Sequence, residues 1–162
     1  HVPLIAPEVA GTSGPLPQFR KFDNFKDEAH YIARCIHKWH NHSQRFNKIA
    51  VIYAYHWQGQ TLIDALRNTG IPCAWLKTVA DKKLYDANVN RVALLTRQSS
   101  KGLEFDVVVL AGLGDLKDGE EHIEREMRLT YVGMTRARQK LLLTGSGNNW
   151  LVDRLASKVE RS

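Results

Sequence analysis

Apolar residues recur along this chain in two rhythms. Phe25, Ala29, Ile32, Ile36 and Trp39 alternate spacings of four and three, one face of a helix reaching about His42, with Asp23 and Asn24 as N-cap candidates. Leu62, Ala65 and Leu66 mark a second helix from Gln58 to Asn68, which Gly70 stops and Pro72 follows. Ile123, Met127, Tyr131 and Met134 predict a third, from Glu120 to about Arg138, with those four side chains inward. A final helix is expected from Trp150 to Val159. Short apolar runs between them predict strands at Gln18 to Phe22, Lys48 to Ala54, Cys73 to Leu76, Arg91 to Thr96, Phe105 to Ala111 and Lys140 to Thr144. Val107, Val108, Val109 and Leu110 are unbroken, so that strand belongs in the middle of a sheet covered on both faces. Thr78 to Asn90 is polar and reads as a connection with one turn of helix.

Alternating strands and helices predict an α/β chain with a mainly parallel sheet. Ligands of such sheets bind outside the carboxyl ends of the strands, which points to the segments after Ala54, Thr96, Ala111 and Thr144. His1 to Pro17 holds four of the five prolines plus Gly11 and Gly14 and keeps no period, so residues 1–17 are expected to be an extended lead-in and residues 18–159 the domain. Gly11-Thr12-Ser13-Gly14-Pro15 lacks the Gly-Lys-Ser/Thr half of a phosphate loop. The tail from Lys158 to Ser162 is charged and expected to fray.

Composition narrows the picture. The 162 residues are 43% hydrophobic, which excludes wholesale disorder and suits one domain. Lys and Arg number 23 against 17 Asp and Glu, a net charge of +6 that suits a nucleic-acid partner as well as many basic enzymes. No run is long and apolar enough to span a bilayer, and no charged-then-apolar signal opens the chain. The first residue is His1, so a piece of a longer protein is expected. Cys35 and Cys73 read as reduced thiols. Cys35 and His42 stand nearly two turns apart, with Ile36 and Trp39 claiming the face between them, so Cys35, His37, His40 and His42 are not expected to bind zinc or any other metal. Asp115, Asp118, Glu120 and Glu121 suit a helix start and need no catalytic role.

Two segments carry chemistry. In Thr96-Arg97-Gln98-Ser99-Ser100-Lys101-Gly102-Leu103-Glu104-Phe105, a short helical turn would offer backbone N–H groups, hydroxyls and an ammonium to a phosphate oxygen, and Glu104 could accept from sugar hydroxyls. The same residues also make an ordinary polar turn with a solvated lysine. In Arg128 to Arg138, arginines stand on a helix whose other face is core. Their planar forks suit a phosphoryl group, or simply face water.

Taken together, the two segments resemble a known family. Thr96 to Phe105 is similar to helicase motif V of the UvrD/Rep/PcrA-like superfamily 1 helicases, T-x-H-S-x-K-G-L-E-F. Glu124 to Arg138 is similar to motif VI, E-x-x-R-L-x-Y-V-x-x-T-R-A, and Val51 to Arg67 with Gly70-Ile71-Pro72 resembles the stretch V-L-Y-R-S-N-x-Q-S-R-x-L-E-E-A-L and its following G-I-P. The resemblance implies a second, C-terminal RecA-like domain: a P-loop-NTPase-like three-layer sandwich lacking its own phosphate-binding loop. It implies that ATP and Mg2+ are bound jointly with an N-terminal RecA-like domain of the same parent, which supplies the phosphate loop, the magnesium carboxylate and the catalytic base. Arg136 matches the arginine that touches the γ-phosphate. Glu104, beside Gly102, matches the glutamate near the ribose. Thr96, Gln98 and Ser99 match the part that meets the single-stranded DNA backbone, and Lys101 either contacts phosphate or braces the loop.

The chain departs from the pattern at Gln98, where histidine is usual, and at Ala54, where arginine is usual. Glutamine still hydrogen-bonds a phosphate oxygen. His56 and Trp57 replace a small polar pair, and Trp57 either stacks on a base or packs under the following helix. The short stretch from Leu76 to Arg91 leaves no room for the large domain that UvrD-type enzymes insert there. The implied function is the C-terminal motor domain of an ATP-dependent DNA helicase or translocase, inactive as an ATPase alone, monomeric and cytoplasmic at a bacterial nucleoid. The alternative is a non-enzymatic DNA-binding or protein-docking module derived from such a domain.

Overall fold

The computed structural model describes residues 14–158; most of the expected lead-in and the last residues of the tail lie outside them. The elements are β1 (Pro17–Phe22), α1 (Phe25–Asn41), β2 (Ile49–Tyr53), α2 (His56–Asn68), β3 (Cys73–Trp75), α3 (Val79–Leu84), β4 (Val92–Thr96), β5 (Phe105–Leu110), α4 (Glu120–Met134), β6 (Ala137–Ser146) and α5 (Trp150–Lys158). Asn24 caps α1 by accepting from the Asp27 amide, as its short side chain allows. The positive φ of Gly70 lets the chain leave α2 toward β3.

All six strands are parallel, in the order β1-β6-β5-β2-β4-β3. The all-apolar β5 lies inside the sheet between β6 and β2, as its continuous run requires. One face is covered by α1 and α2, through Phe25, Ile32, Ile36, Leu62 and Leu66. The other is covered by α4 and α5, through Met127, Met134, Leu151, Val152 and Leu155. This is the three-layer, RecA-like arrangement. Each large side chain buried between the layers contributes about 1.5–3 kcal/mol.

Two expectations need correction, both at α4. The helix ends at Met134, so Arg136 and Arg138 are not helical: Arg136 lies in the connection and Arg138 on β6. The reason is pairing, because Ala137 is the register partner of Phe105 and the chain must already be extended there. Tyr131 does not point inward; it is 37% exposed. The buried residues are instead Glu126, Met127, Leu129, Thr130, Gly133 and Met134. Gly133 brings the helix backbone so close that a Cβ there would stand 3.0 Å from the Leu110 side chain.

Candidate functional site

At the carboxyl end of β4 the chain enters a 3-10 turn, Gln98–Ser100. The Thr96 hydroxyl accepts from the Ser99 amide at 3.1 Å and donates to the Ser99 hydroxyl at 3.0 Å. The Ser100 hydroxyl donates back to the Arg97 carbonyl at 2.6 Å. These bonds hold the turn rigid, with Gln98 and Lys101 exposed beside it. Gly102 follows at φ +83°, a conformation that side chains resist.

Glu104 and Arg136 lie elsewhere. Each immediately precedes a strand, β5 or β6, and those strands begin with the register partners Phe105 and Ala137. The two residues therefore sit side by side at the amino edge of the sheet. Val107 pairs with Ile49 at the start of β2 and Thr96 with Tyr53 at its end, so the two groups are separated by about 13 Å or more along the strands at roughly 3.3 Å per residue. Thr96, Gln98 and Ser99 thus lie at the carboxyl end of the sheet, whereas Glu104, although it follows Thr96 in the chain, has crossed to the amino edge beside Arg136.

The Arg136 guanidinium is fixed by three acceptors: Val132 O at 3.1 Å, Thr135 Oγ1 at 3.2 Å and Leu103 O at 3.4 Å. Its backbone carbonyl accepts from the Phe105 amide at 2.9 Å. Of five guanidinium N–H donors, two are left for a ligand. Glu104, with a side chain 63% exposed, meets Arg138 at 3.4 Å, and Arg138 also meets Asp106 at 3.0 Å. Glu104, Arg138, Lys48, Asn47 and Tyr85 line a cavity of about 190 Å³ at this edge.

Between the two groups runs a buried ion pair that the sequence pattern does not reveal. Arg97 is 3% exposed and meets Glu126 of α4 at 3.2 Å, with Thr130 Oγ1 at 3.4 Å. Burial pulls the Arg97 pKa down, and Glu126 opposes that pull. A second buried carboxylate, Glu28 of α1, accepts from the Gly112 amide at 2.7 Å, the Thr144 hydroxyl at 2.7 Å and the Ser146 hydroxyl. Its position was foreshadowed by spacing, since Glu28 lies on the same helical face as Phe25 and Ile32. Gln58 binds the Ala54 and Tyr55 amides through Oε1 and donates to Gly112 O and Asp115 through Nε2, joining the carboxyl ends of β2 and β5.

Trp57 is 51% exposed, with the Phe25 ring edge-on at 5.3 Å, and it lines a groove of about 390 Å³ between α1 and α2. His56 stacks on Trp75 at 5.4 Å, whose indole donates to Tyr53 Oη at 2.6 Å. His40 stacks on Phe46 and His42 bonds the Lys38 carbonyl, so both histidines have packing or capping roles. Among the described residues no three His, Cys, Asp or Glu side chains converge as for a metal.

The Thr96 turn thus lies at the carboxyl end of the parallel sheet, with Glu104 and Arg136 at its amino edge, and comparison with known proteins gives the chain its family. The family model for the UvrD-like helicase C-terminal domain matches residues 7–88 and 74–147. The chain belongs to that family. Among its relatives is the ATP-dependent DNA helicase Rep of Buchnera aphidicola (subsp. Schizaphis graminum), 44% identical over 77 residues, 43% of this chain and 12% of Rep. Another is the ATP-dependent DNA helicase PcrA of Leuconostoc citreum, 38% identical over 86 residues, 47% of this chain and 11% of PcrA. The chain therefore matches only about a tenth of the length of these curated relatives. The crystal structure of the C-terminal domain of a possible DNA helicase from Lactobacillus plantarum WCFS1 superposes with a TM-score of 0.68 at 22% identity, covering 87% of this chain and 81% of that one. This likeness shows a shared fold over most of both chains. No helix among the described residues is long and apolar enough to cross a membrane.

Proposed function

We propose that this chain is the C-terminal motor domain of an ATP-dependent DNA helicase or translocase, and that it completes an ATP site with an N-terminal RecA-like domain of the same parent. The observation that carries the reading is the pairing of Phe105 with Ala137, which seats Glu104 beside Arg136. Arg136 is the arginine finger. Backbone carbonyls hold its fork in place, and its two remaining donors meet the γ-phosphoryl group as charge spreads over it in the transition state. Glu104 accepts from the ribose, and Gly102 gives the loop the backbone freedom to present it. ATP and Mg2+ are held chiefly by the other domain, since this sequence has no Gly-x-x-x-x-Gly-Lys-Ser/Thr.

Thr96, Gln98, Ser99 and Lys101 grip the backbone of single-stranded DNA at the opposite end of the sheet. Trp57, half-exposed near the same edge, stacks on a base. Arg97 and Glu126 join the two ends: Arg97 follows Thr96, and its partner lies on the helix that leads to Arg136. Closing and opening of the nucleotide cleft is then converted into alternating grip on the strand. Only the six-residue α3 stands between β3 and β4, in keeping with a compact domain spanning residues 18–159 without the inserted accessory domain. The parent acts in the bacterial cytoplasm, and this domain has no need of a second copy.

The test is the affinity of the parent for oligo-dT as salt rises. Backbone grip predicts a steep linear fall of log K with log salt, shallower in Lys101→Gln, whereas Thr96→Ala lowers K and keeps the slope. Little DNA binding at any salt would favour a protein-docking module instead. Phosphate release by this chain alone, above a buffer blank, would contradict the division of labour between the domains.

A further inference from the structure

Six ion pairs lie within the stretch 97–138. The flank where α1 crosses β1 and β6 is different. Arg20 of β1, Arg34 and Lys38 of α1, and Lys140 of β6 are all exposed, and none pairs with a carboxylate among the described residues. Of the acids on α1, Glu28 is buried at the far face and Asp27 is engaged with Asn24. Surfaces that mix signs keep such cations apart or neutralised; this one does neither.

Aromatic rings hold three of the four cations. Arg20 and Arg34 both lie over the Tyr31 ring, at 5.0 and 6.0 Å, and Phe22 packs on Tyr31 at 5.1 Å. Lys140 lies over Trp39 at 5.0 Å. Tyr31, Arg34, Lys38 and Trp39 fall on one stripe of α1, about 12 Å long at 1.5 Å per residue. Tyr31 and Trp39 are half-buried and already carry cations over their rings, so a base has no clear platform here. A guanidinium stacked by its face keeps its N–H edges free, the geometry that phosphate accepts. A basic stripe of this kind is the electrostatic footprint of a polyanion.

We infer that this flank is a second nucleic-acid contact, which holds the phosphodiester backbone of a segment outside the Thr96–Lys101 path. β1 and β4 are four strands apart in the sheet, about 19 Å at the usual spacing, so the two contacts are separate. Duplex and single strand share the chemistry recognised here. An acidic protein segment is a different partner. A fourth role, guarding the exposed edge of β1 against pairing with another chain, requires no ligand at all.

The experiment is fluorescence anisotropy of the full-length parent with a blunt duplex and, separately, with oligo-dT, between about 50 and 200 mM salt. The variant Arg34→Gln/Lys38→Gln/Lys140→Gln removes three exposed charges; the variant Arg34→Lys/Lys38→Arg/Lys140→Arg keeps them and controls for folding. The inference predicts that the neutralised variant lowers the slope of log K against log salt by about 2–3, at roughly 0.9 per duplex contact or 0.7 per single-strand contact. The charge-keeping variant retains the wild-type slope. Loss with the duplex alone, or with oligo-dT alone, identifies which source the flank holds. Unchanged slopes in both arms overturn the inference, and so does loss of polyglutamate binding with both DNA slopes intact, which assigns the flank to an acidic protein. Neither result touches the ATP site, whose failure is read separately from turnover of the Arg136→Ala parent.

Discussion

Arg97 and Glu126 form a buried ion pair at 3.2 Å, and it ties the turn after β4 to the middle of α4. Removing one partner leaves the other charge buried alone. Glu126→Leu or Arg97→Met is therefore expected to destabilise the domain by about 3–5 kcal/mol, whereas the double variant costs much less or nothing, because well-packed apolar pairs replace buried ion pairs at little cost. Urea unfolding of the four proteins checks this. Single variants as stable as the wild type would show that the pair is not structural.

Glu28 sets a pH dependence. Burial foremost holds its carboxyl above the ordinary 4.5, against the lowering effect of the Ser146, Thr144 and Gly112 hydrogen bonds. Between the unfolded and folded pKa values the folded state binds more protons, so stability falls as pH rises through that window and then levels off. Wild type should lose stability relative to Glu28→Gln as pH is raised above about 4.5. A difference that is flat with pH, or a wild type that gains stability relative to Glu28→Gln as pH rises, would contradict the assignment.

Much of this architecture was legible in the sequence. Strong apolar periods marked α1 and β5, and the short elements fell within a few residues of their expected ends. The errors lay where polar contacts or long-range pairing overrode hydropathy. Tyr131 looked inward because Met127 and Met134 are, but the buried face is completed by Glu126, Thr130 and Gly133, which hydropathy does not count as core. Arg136 looked helical because nothing local announces that Ala137 pairs with Phe105. That pairing is also why the candidate nucleotide residues sit at the amino edge. Arg97 was hidden because an arginine between Thr96 and Gln98 looks solvated until Glu126 arrives from α4.

Two glycines should respond differently to a methyl group. A Cβ at Gly114 would fall on the Ser146 carbonyl, which is backbone and cannot move aside cheaply. Gly114→Ala should destabilise by about 3 kcal/mol or more, the upper end for overpacking, because backbone must shift. At Gly102 there is open space but φ is +83°, so Gly102→Ala should cost only about 1–2 kcal/mol, and Gly102→Asn less. Thermal unfolding separates the two, and equal costs would contradict the steric account.

Trp57 tests the single-strand path. In the parent, Trp57→Ala should weaken oligo-dT binding by about 1–3 kcal/mol, while a half-exposed ring leaves Tm only modestly lower. A large fall in Tm with unchanged DNA affinity would make Trp57 a packing residue for Phe25.

The central claim is that this chain lends its arginine to an ATP site completed by another domain. The most direct measurement is ATP turnover by the full-length parent, with and without single-stranded DNA, beside its Arg136→Ala variant. The account predicts turnover stimulated by DNA and reduced about 10³–10⁵-fold in the variant. Turnover that survives the loss of Arg136, or an intact parent that hydrolyses no ATP, would contradict it.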